Sequence, residues 1–133
     1  MFIARADKLC AHSYTRAARL KAPPLPPQSR AELRRVATFL RAQVAIGGRE
    51  LARIRRLGRA VPGARLQAQN LFAADRMVDT MDELADHASR GELGDVRTKF
   101  LRLQAYSRRA IGLAKRFGYH VCGQGGIHLA LNP

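Results

Sequence analysis

Several residue types typical of sheet and membrane proteins are scarce in this sequence. It contains no tryptophan, only 6% aromatic residues and few β-branched residues, while alanine, leucine and arginine recur throughout. This balance favours helix over sheet and excludes an all-β fold. No segment offers the roughly 18 consecutive apolar residues needed to cross a bilayer, so we expect a soluble chain. The 133 residues are 47% hydrophobic, which fits one domain with a core rather than a disordered chain.

Acidic residues are also few. The sequence has 10 Asp and Glu against 24 Lys and Arg, a net charge of +14. Such a charge attracts nucleic acid, acidic lipid or acidic polysaccharide, although a high-GC coding sequence supplies excess arginine whether or not a ligand exists. The first residues show no basic region ahead of an apolar stretch, so we expect no signal peptide within this chain. A cytosolic protein and an exported protein whose signal was removed both fit that observation.

Helical periodicity occurs in four segments, at about 2–20, 29–58, 64–89 and 94–117, followed by an irregular, glycine-rich tail over 118–133. Four amphipathic helices joined by short breaks pack most simply as an antiparallel up-down-up-down bundle. The sequence therefore predicts one all-α domain over 1–133, a four-helix bundle.

Local signals mark the ends of these helices. Ser29 and Glu32 have the spacing of a capping box at the start of the second helix. Asp95, after a glycine, is the candidate N-cap of the fourth helix, and Gly118 is its candidate C-cap. The proline-rich stretch 21–27 cannot be helical and predicts a stiff linker. A Gly-Gly pair at 47–48 predicts a kink or a close helix contact.

The two cysteines allow two interpretations. Cys10 lies on the apolar face of the first helix, and Cys122 lies four residues beyond Gly118. In an up-down-up-down bundle the chain after the fourth helix returns to the end where the first begins, so the geometry predicts a Cys10–Cys122 disulfide that staples the tail to helix one. Such a bond persists in an oxidising compartment. The alternative is a cytosolic protein with two buried free thiols.

Short motifs around these cysteines carry a resemblance. The stretch Phe-Ile-Ala-Arg-Ala-Asp-Lys-Leu-Cys at 2–10 and the ending Gly-Tyr-His-Val-Cys-Gly at 118–123 resemble small exported or lipoprotein-type helical domains of high-GC Gram-positive bacteria. Those domains begin with Ala-Asp-x-x-Cys and close with Gly-x-x-x-Cys-Gly, with the two cysteines paired. The resemblance implies export to the cell envelope and supplies no chemistry.

Arginines form the main candidate binding surface. Nine of them lie between 30 and 59, within about 160° of the helical wheel and opposite the apolar face. With Glu32 and Glu50 this segment carries +7. It predicts a surface for phosphate groups, anionic polymers or acidic lipid, with a merely solvated helix face as the alternative. The anion-binding residues we select are Arg34, Arg41, Arg49, Arg53, Arg56 and Arg59. No aromatic residues interleave these arginines, which disfavours nucleic acid bound by base stacking.

The third helix carries an acidic stripe with a different set of interpretations. The stripe consists of Asp75, Asp79, Asp82 and Asp86, with Glu83 beside it. It predicts either a weak divalent-cation surface or, more commonly, carboxylates that are solvated or paired with arginines, as Asp79 would be with Arg76.

No residue pattern indicates catalysis or a cofactor. The histidines His12, His87, His120 and His128 form no metal-binding motif, and no nucleophile–base pair or phosphate-binding glycine loop is present. Because the inner faces carry only Ser13, Asn70 and Ser107 as polar members, we expect a dry, closed core without metal or haem. The sequence thus favours a non-catalytic envelope binding or structural module. The alternatives are a cytosolic nucleic-acid-associated bundle, or a haem- or metal-carrying bundle that uses His120 or His12.

Overall fold

A computed structural model describes residues 1–24 and 27–123, and it is helical. Its four helices are α1 (Phe2–Ala17), α2 (Arg30–Arg56), α3 (Ala64–Ser89) and α4 (Leu93–Phe117). Within these described ranges there is no β-strand. The all-α fold class is confirmed. The predicted tail beyond residue 123 lies outside the described residues.

Consecutive helices pack antiparallel, as the bundle topology requires. Direct packing joins α1 to α2, α2 to α3 and α3 to α4. Two ion pairs fix the direction of α2 against α3, because Arg41 reaches Asp86 near one end and Arg55 reaches Asp75 towards the other. The amide of Asn70 in α3 donates to the Ala110 carbonyl in α4 over 3.1 Å. These contacts run in the order expected for an up-down-up-down four-helix bundle.

The helix ends follow the predicted signals in some places and depart from them in others. At the start of α2 the Ser29 hydroxyl accepts from the Glu32 amide, and the Glu32 carboxylate accepts from the Ser29 amide, so the capping box is present. Gly118 ends α4 with a φ of 102°, as predicted. The predicted N-cap Asp95 is wrong, because α4 begins at Leu93 and Glu92 is its N-cap.

The first helix is shorter than its periodicity predicts. It ends at Ala17, and the amide of Leu20 bonds to the Ala17 carbonyl, three residues back. This tighter turn ends the α-helical pattern before the chain reaches the prolines, whose missing amide hydrogens exclude helix. In contrast, α2 continues through the Gly-Gly pair at 47–48, where Gly47 is buried.

Two apolar clusters form the core. The larger one joins α2, α3 and α4 and includes the fully buried side chains of Leu33, Leu84 and Leu103. The smaller one lies at the end of the bundle where α1 begins and α4 finishes, and it includes Ala6, Ile54, Phe117, Tyr119 and both cysteines. Since α1 belongs to the smaller cluster, its position depends on the residues that follow α4.

The disulfide predicted from the topology is confirmed. Cys10 and Cys122 are bonded, with their Cα atoms 5.3 Å apart and a separation of 112 positions along the sequence. Both cysteines are buried. The bond links the third turn of α1 to the segment after α4. In the described part of the chain, no helix is long and apolar enough to span a membrane.

Reduction of this disulfide should destabilise the protein substantially. Closing a loop of this length is worth about 4 to 5 kcal/mol in the chain-entropy model. We expect denaturant unfolding to show a loss of that order for the reduced protein and for Cys10→Ser/Cys122→Ser. Thiol titration of the denatured, unreduced protein should find no free sulfhydryl. Two reactive thiols per chain in protein prepared without reductant would contradict the pairing.

Candidate functional site

Asp7 holds the segment that follows α4 against α1. Its side chain is buried, and its carboxylate accepts from three consecutive backbone amides. Oδ2 accepts from His120 at 3.0 Å, and Oδ1 accepts from Val121 at 3.0 Å and Cys122 at 2.9 Å. Hydrogen bonds to an ionised acceptor are stronger than neutral ones. These amides have no partner in a helix or strand, and the single carboxylate of Asp7 therefore accepts from all three.

Glycine shapes both ends of the same segment. Gly118 has a φ of 102° and turns the chain out of α4. Gly123 has a φ of 83°, and a Cβ there would lie 2.6 Å from the Cβ of Ala114. Both positions thus require glycine, for left-handed backbone and, at Gly123, also for space. The amide of Gly123 donates to the Tyr14 hydroxyl over 2.7 Å, which adds a second anchor on α1.

The motifs that carry the family resemblance therefore have structural roles. Asp7 and Cys10 from Ala-Asp-x-x-Cys bind the backbone and the sulfur of the segment 118–123. Gly118 and Gly123 let that segment turn and approach α4 closely. These residues build a docking joint between the two ends of the chain, and no reaction is assigned to them.

A small pocket, lined mainly by apolar surface, lies beside this joint, between the two apolar clusters. Its volume is about 70 Å³, and both cysteines form part of its wall. Its polar lining comes from every helix and from the segment after α4: Tyr14, Glu50, Asn70, Ser107 and Tyr119. The predicted closed core is interrupted at this point by a pocket that is partly open to solvent.

Glu50 is the residue in this cavity that the sequence analysis missed. We counted it among the charges of the arginine face, but its carboxylate is largely buried and accepts a hydrogen bond from the Ser13 hydroxyl of α1. Burial raises the pKa of Glu50 from 4.5 to about 7, and the bond from Ser13 opposes part of that shift. Its spacing from Gly47 and Ile54, three residues before and four after, was the available signal that it shares their buried side of α2.

The Tyr119 hydroxyl is the second unusual group in the cavity. Tyr119 is 4% exposed, and its hydroxyl has no hydrogen-bond partner among the described residues. Burial raises the pKa of Tyr119 to about 12, and the carboxylates of Asp7 and Glu50 add to the effect. The phenol therefore stays protonated at any physiological pH.

The predicted anion-binding arginines divide into two groups. Arg41 is paired with Asp86 on α3, with 3.1 Å between the charged atoms. The other five, Arg34, Arg49, Arg53, Arg56 and Arg59, are exposed and make no ion pair with any described residue. Arg55, which was not among the selected six, forms a two-bond pair with Asp75. The edge of the arginine face that borders α3 is thus neutralised, and the rest is open.

The acidic stripe on α3 serves mainly as the partner of neighbouring helices. Asp75 and Asp86 pair with α2, and Glu83 pairs with Lys99 of α4 at 2.6 Å. The Lys99 ammonium lowers the pKa of Glu83. The expected Asp79–Arg76 pair is absent, because Arg76 donates to the Tyr106 hydroxyl and lies 5.4 Å from the centre of that ring. Cross-helix contacts thus replace the predicted pair within α3.

Three side chains at the turn between α3 and α4 offer possible metal ligands. The ligand atoms of His87, Glu92 and Asp95 lie within 4.8 Å of one another. The guanidinium of Arg90 donates to Glu92 and lies 3.2 Å from the His87 ring. A cation thus already neutralises the carboxylate there. His12 and His120 are exposed, and His128 lies outside the described residues.

Comparison with known proteins identifies no relatives: no protein-family model, curated protein or solved structure matches the chain.

Removing the Asp7 carboxylate should loosen the docking joint. Asp7→Ala leaves three amides without their acceptor, and we expect a loss of about 3 kcal/mol in the free energy of unfolding. Asp7→Asn, which keeps one acceptor oxygen, should lose less. The amides of 120–122 should exchange with solvent faster in both variants, as measured by hydrogen exchange.

The exposed Asp82 supplies the matched control for Asp7. Asp82→Asn should change stability by no more than about 0.5 kcal/mol and leave amide exchange in the segment unaltered. If Asp7→Ala unfolds at the same denaturant concentration as the wild type, the three hydrogen bonds do not hold the segment.

Glu50 should make the protein less stable as the pH rises towards 8. Between its unfolded pKa of 4.5 and its folded value of about 7, the folded state holds a proton that the unfolded chain lacks. Stability is therefore fully present below pH 4.5 and declines as the pH passes through 7, by up to roughly 3 kcal/mol. Chemical denaturation in low-salt buffer at several pH values measures this loss. Glu50→Gln should flatten the curve between pH 5 and 8, while Asp82→Asn should retain the wild-type slope.

Proposed function

We propose that this protein is a non-catalytic, exported binding module of the cell envelope that binds anionic polymers through the surface formed by α1 and α2. The distribution of charge along the chain carries this proposal. Residues 1–60 hold 14 Lys and Arg against three acids, a net +11, whereas residues 61–133 hold ten against seven.

At the surface, the difference in net charge between residues 1–60 and residues 61–133 is larger than the sequence alone indicates, because the acids of residues 1–60 are buried or occupied. Of the three acids in residues 1–60, Asp7 is buried by the docking joint and Glu50 lies in the cavity. Glu32 is occupied by the capping box. The exposed surface of α1 and α2 is thus almost free of competing negative charge. A dense cationic surface of this kind attracts polyanions by summed Coulomb attraction.

The side chains of this surface favour recognition of charge rather than of bases or sugars. The basic face, meaning the five unpaired arginines selected above, has no exposed aromatic side chain within α2 on which a nucleobase would stack. Phe39, the aromatic residue of that helix, is buried. A polymer of phosphate groups fits this surface best. The nucleic-acid-associated alternative would use the same charges without base readout.

The proposal of export rests on the disulfide. A buried cystine that joins the two ends of the fold persists where glutathione does not reduce it. The resemblance to exported helical domains points in the same direction.

The absence of catalysis in the proposal rests on size and access. Acid–base groups with shifted pKa values, Glu50 and Tyr119, lie in a cavity of about 70 Å³. That space suits a few water-sized particles rather than a substrate with a reacting bond.

Neutralising the basic face should weaken polyanion binding and its dependence on salt. We expect Arg49→Gln/Arg53→Gln/Arg56→Gln to reduce the slope of log association constant against log salt by about 2 to 3, since each lost phosphate contact removes close to one unit. The measurement is binding to a soluble phosphate polymer at several salt concentrations, with thermal unfolding to confirm that the variant folds.

A control variant separates a local surface from net charge. Arg102→Gln/Arg109→Gln/Arg116→Gln removes the same charge from exposed positions of α4. This control should keep the wild-type slope. Equal losses in both variants would mean that total charge alone drives binding, and unchanged binding in the α2 variant would leave its arginines as a solvated face. Tighter binding to single-stranded DNA than to the phosphate polymer would favour the nucleic-acid alternative.

A further inference from the structure

A groove runs between α2 and the chain that follows α1. Its volume is about 730 Å³, which is typical of sites for small organic ligands, and it is partly open to solvent. One wall consists of residues 20–24, and the other is the part of α2 between Arg34 and Ala42. The groove shares none of its described lining residues with the pocket beside the disulfide.

The α2 wall of the groove is a stripe along one side of the helix. Arg35, Phe39 and Ala42 follow one another at intervals of four and three residues, so their side chains lie on the same side of α2. From Arg34 to Ala42 the helix rises by about 12 Å. Phe39 is buried and belongs to the larger apolar cluster, so the apolar surface of the groove continues into the core.

The opposite wall is apolar and poor in backbone donors. Pro23 and Pro24 have no amide hydrogen, and Leu20 and Ala22 add apolar side chains. Peptides that bind in grooves use main-chain hydrogen bonds or exposed aromatic rings, and the aromatic residue of this groove, Phe39, is buried. The two walls therefore suit a ligand that needs neither, such as an alkyl chain.

Positive charge lies beside these apolar walls. Lys21 lines one wall and Arg34 and Arg35 line the other, and all three side chains are exposed. None of them forms an ion pair with a described residue, and no Asp, Glu, His or Cys belongs to the described lining. Long basic side chains cover apolar surface with their methylene groups and keep their charged ends in water. The groove thus combines apolar walls with positive charge at its edge.

We propose that this groove binds a free fatty acid, with the alkyl chain between residues 20–24 and α2 and the carboxylate beside Lys21 and Arg35. The positive charge selects the head group, and the apolar lining selects the chain. A phosphate polymer would leave the apolar walls exposed to water, and a neutral hydrocarbon would leave the cations without a partner. One helix face opposite one extended stretch of chain suits a single alkyl chain.

This inference does not depend on the proposed polyanion binding. Arg34 is the residue common to the groove and the basic face, while Lys21 and Arg35 belong to the groove and lie outside the basic face as defined above. Variants of Lys21 and Arg35 therefore test the groove by itself.

Calorimetric titration with octanoate, decanoate and dodecanoate, each below its micelle concentration, tests the proposal without any polyanion present. We expect the association constant to rise roughly tenfold with every two methylenes, since each buried methylene adds up to about a factor of four. Decanol has the chain without the charge, and acetate has the charge without the chain. Both should bind at least about ten times more weakly than decanoate.

A charge variant tests the position of the head group. Lys21→Gln/Arg35→Gln should weaken decanoate binding about tenfold, because it removes two cations beside the carboxylate. Arg102→Gln/Arg109→Gln removes the same charge from exposed positions of α4 and should leave decanoate binding unchanged. Thermal unfolding confirms that both variants fold.

A second variant tests the position of the alkyl chain. Thr38 is exposed and lines the groove, so Thr38→Trp should fill the space with an indole ring and abolish decanoate binding. Thr98→Trp is the matched control and should bind decanoate like the wild type. Both threonines are exposed, and each donates its hydroxyl to the carbonyl four residues earlier in its helix.

Three results would overturn the fatty-acid site. An affinity that does not rise with chain length would mean that charge alone attracts the ligand. Unchanged decanoate binding in Thr38→Trp would place the chain elsewhere on the protein. Binding to vesicles of an anionic phospholipid without binding of monomeric decanoate would make the groove part of a membrane-binding surface instead. None of these results bears on the basic face, which is tested with a phosphate polymer and with substitutions outside the groove.

Discussion

The position of α1 depends on its attachment to the segment after α4. Extensive packing links α1 to α2, while its contact with the C-terminal end of α4 is limited and is reinforced by that segment. Cys10 supplies the covalent bond, and Asp7 supplies acceptors for three amides. The rings of Phe2 and Phe117 meet edge to face at 5.9 Å and close the apolar side of the joint. Without this attachment the chain would retain the cluster of α2, α3 and α4, and α1 would lose much of its support.

The sequence predicted the parts of this fold that depend on local spacing. Periodicity located four helices, the Ser29–Glu32 spacing located a capping box, and bundle topology paired the two cysteines. Those inferences succeed because side chains on a helix return to the same face about every 3.6 residues, and because every second helix of an up-down-up-down bundle begins at the same end of the bundle. The start of α4 was misplaced, since Asp95 has N-cap chemistry but lies inside the first turn of the helix. Local chemistry alone does not decide which of several nearby residues begins a helix.

The candidate sites were harder to predict because they depend on which faces meet. Arg41 and Arg55 lie on the arginine arc, yet their neighbours are carboxylates of α3, and a helical wheel drawn for one helix contains no information about its neighbour. Glu50 was assigned to the surface although it lies on the buried side of α2. It was grouped with surface charges because of its residue type, although its position places it on the buried side with Gly47. Position within the wheel was the better guide in that case.

Charge and burial in this protein are arranged by the same packing. The acids of α3 neutralise only the adjoining edge of α2, so the remaining arginines face solvent beside a first helix that is itself basic. The docking joint removes Asp7 from that surface, and the packing of α1 on α2 removes Glu50. Attachment of α1 therefore has two consequences: it concentrates positive charge on the surface, and it covers much of a carboxylate that has no ion-pair partner among the described residues. The disulfide that fixes α1 thus supports both the external surface and the internal cavity.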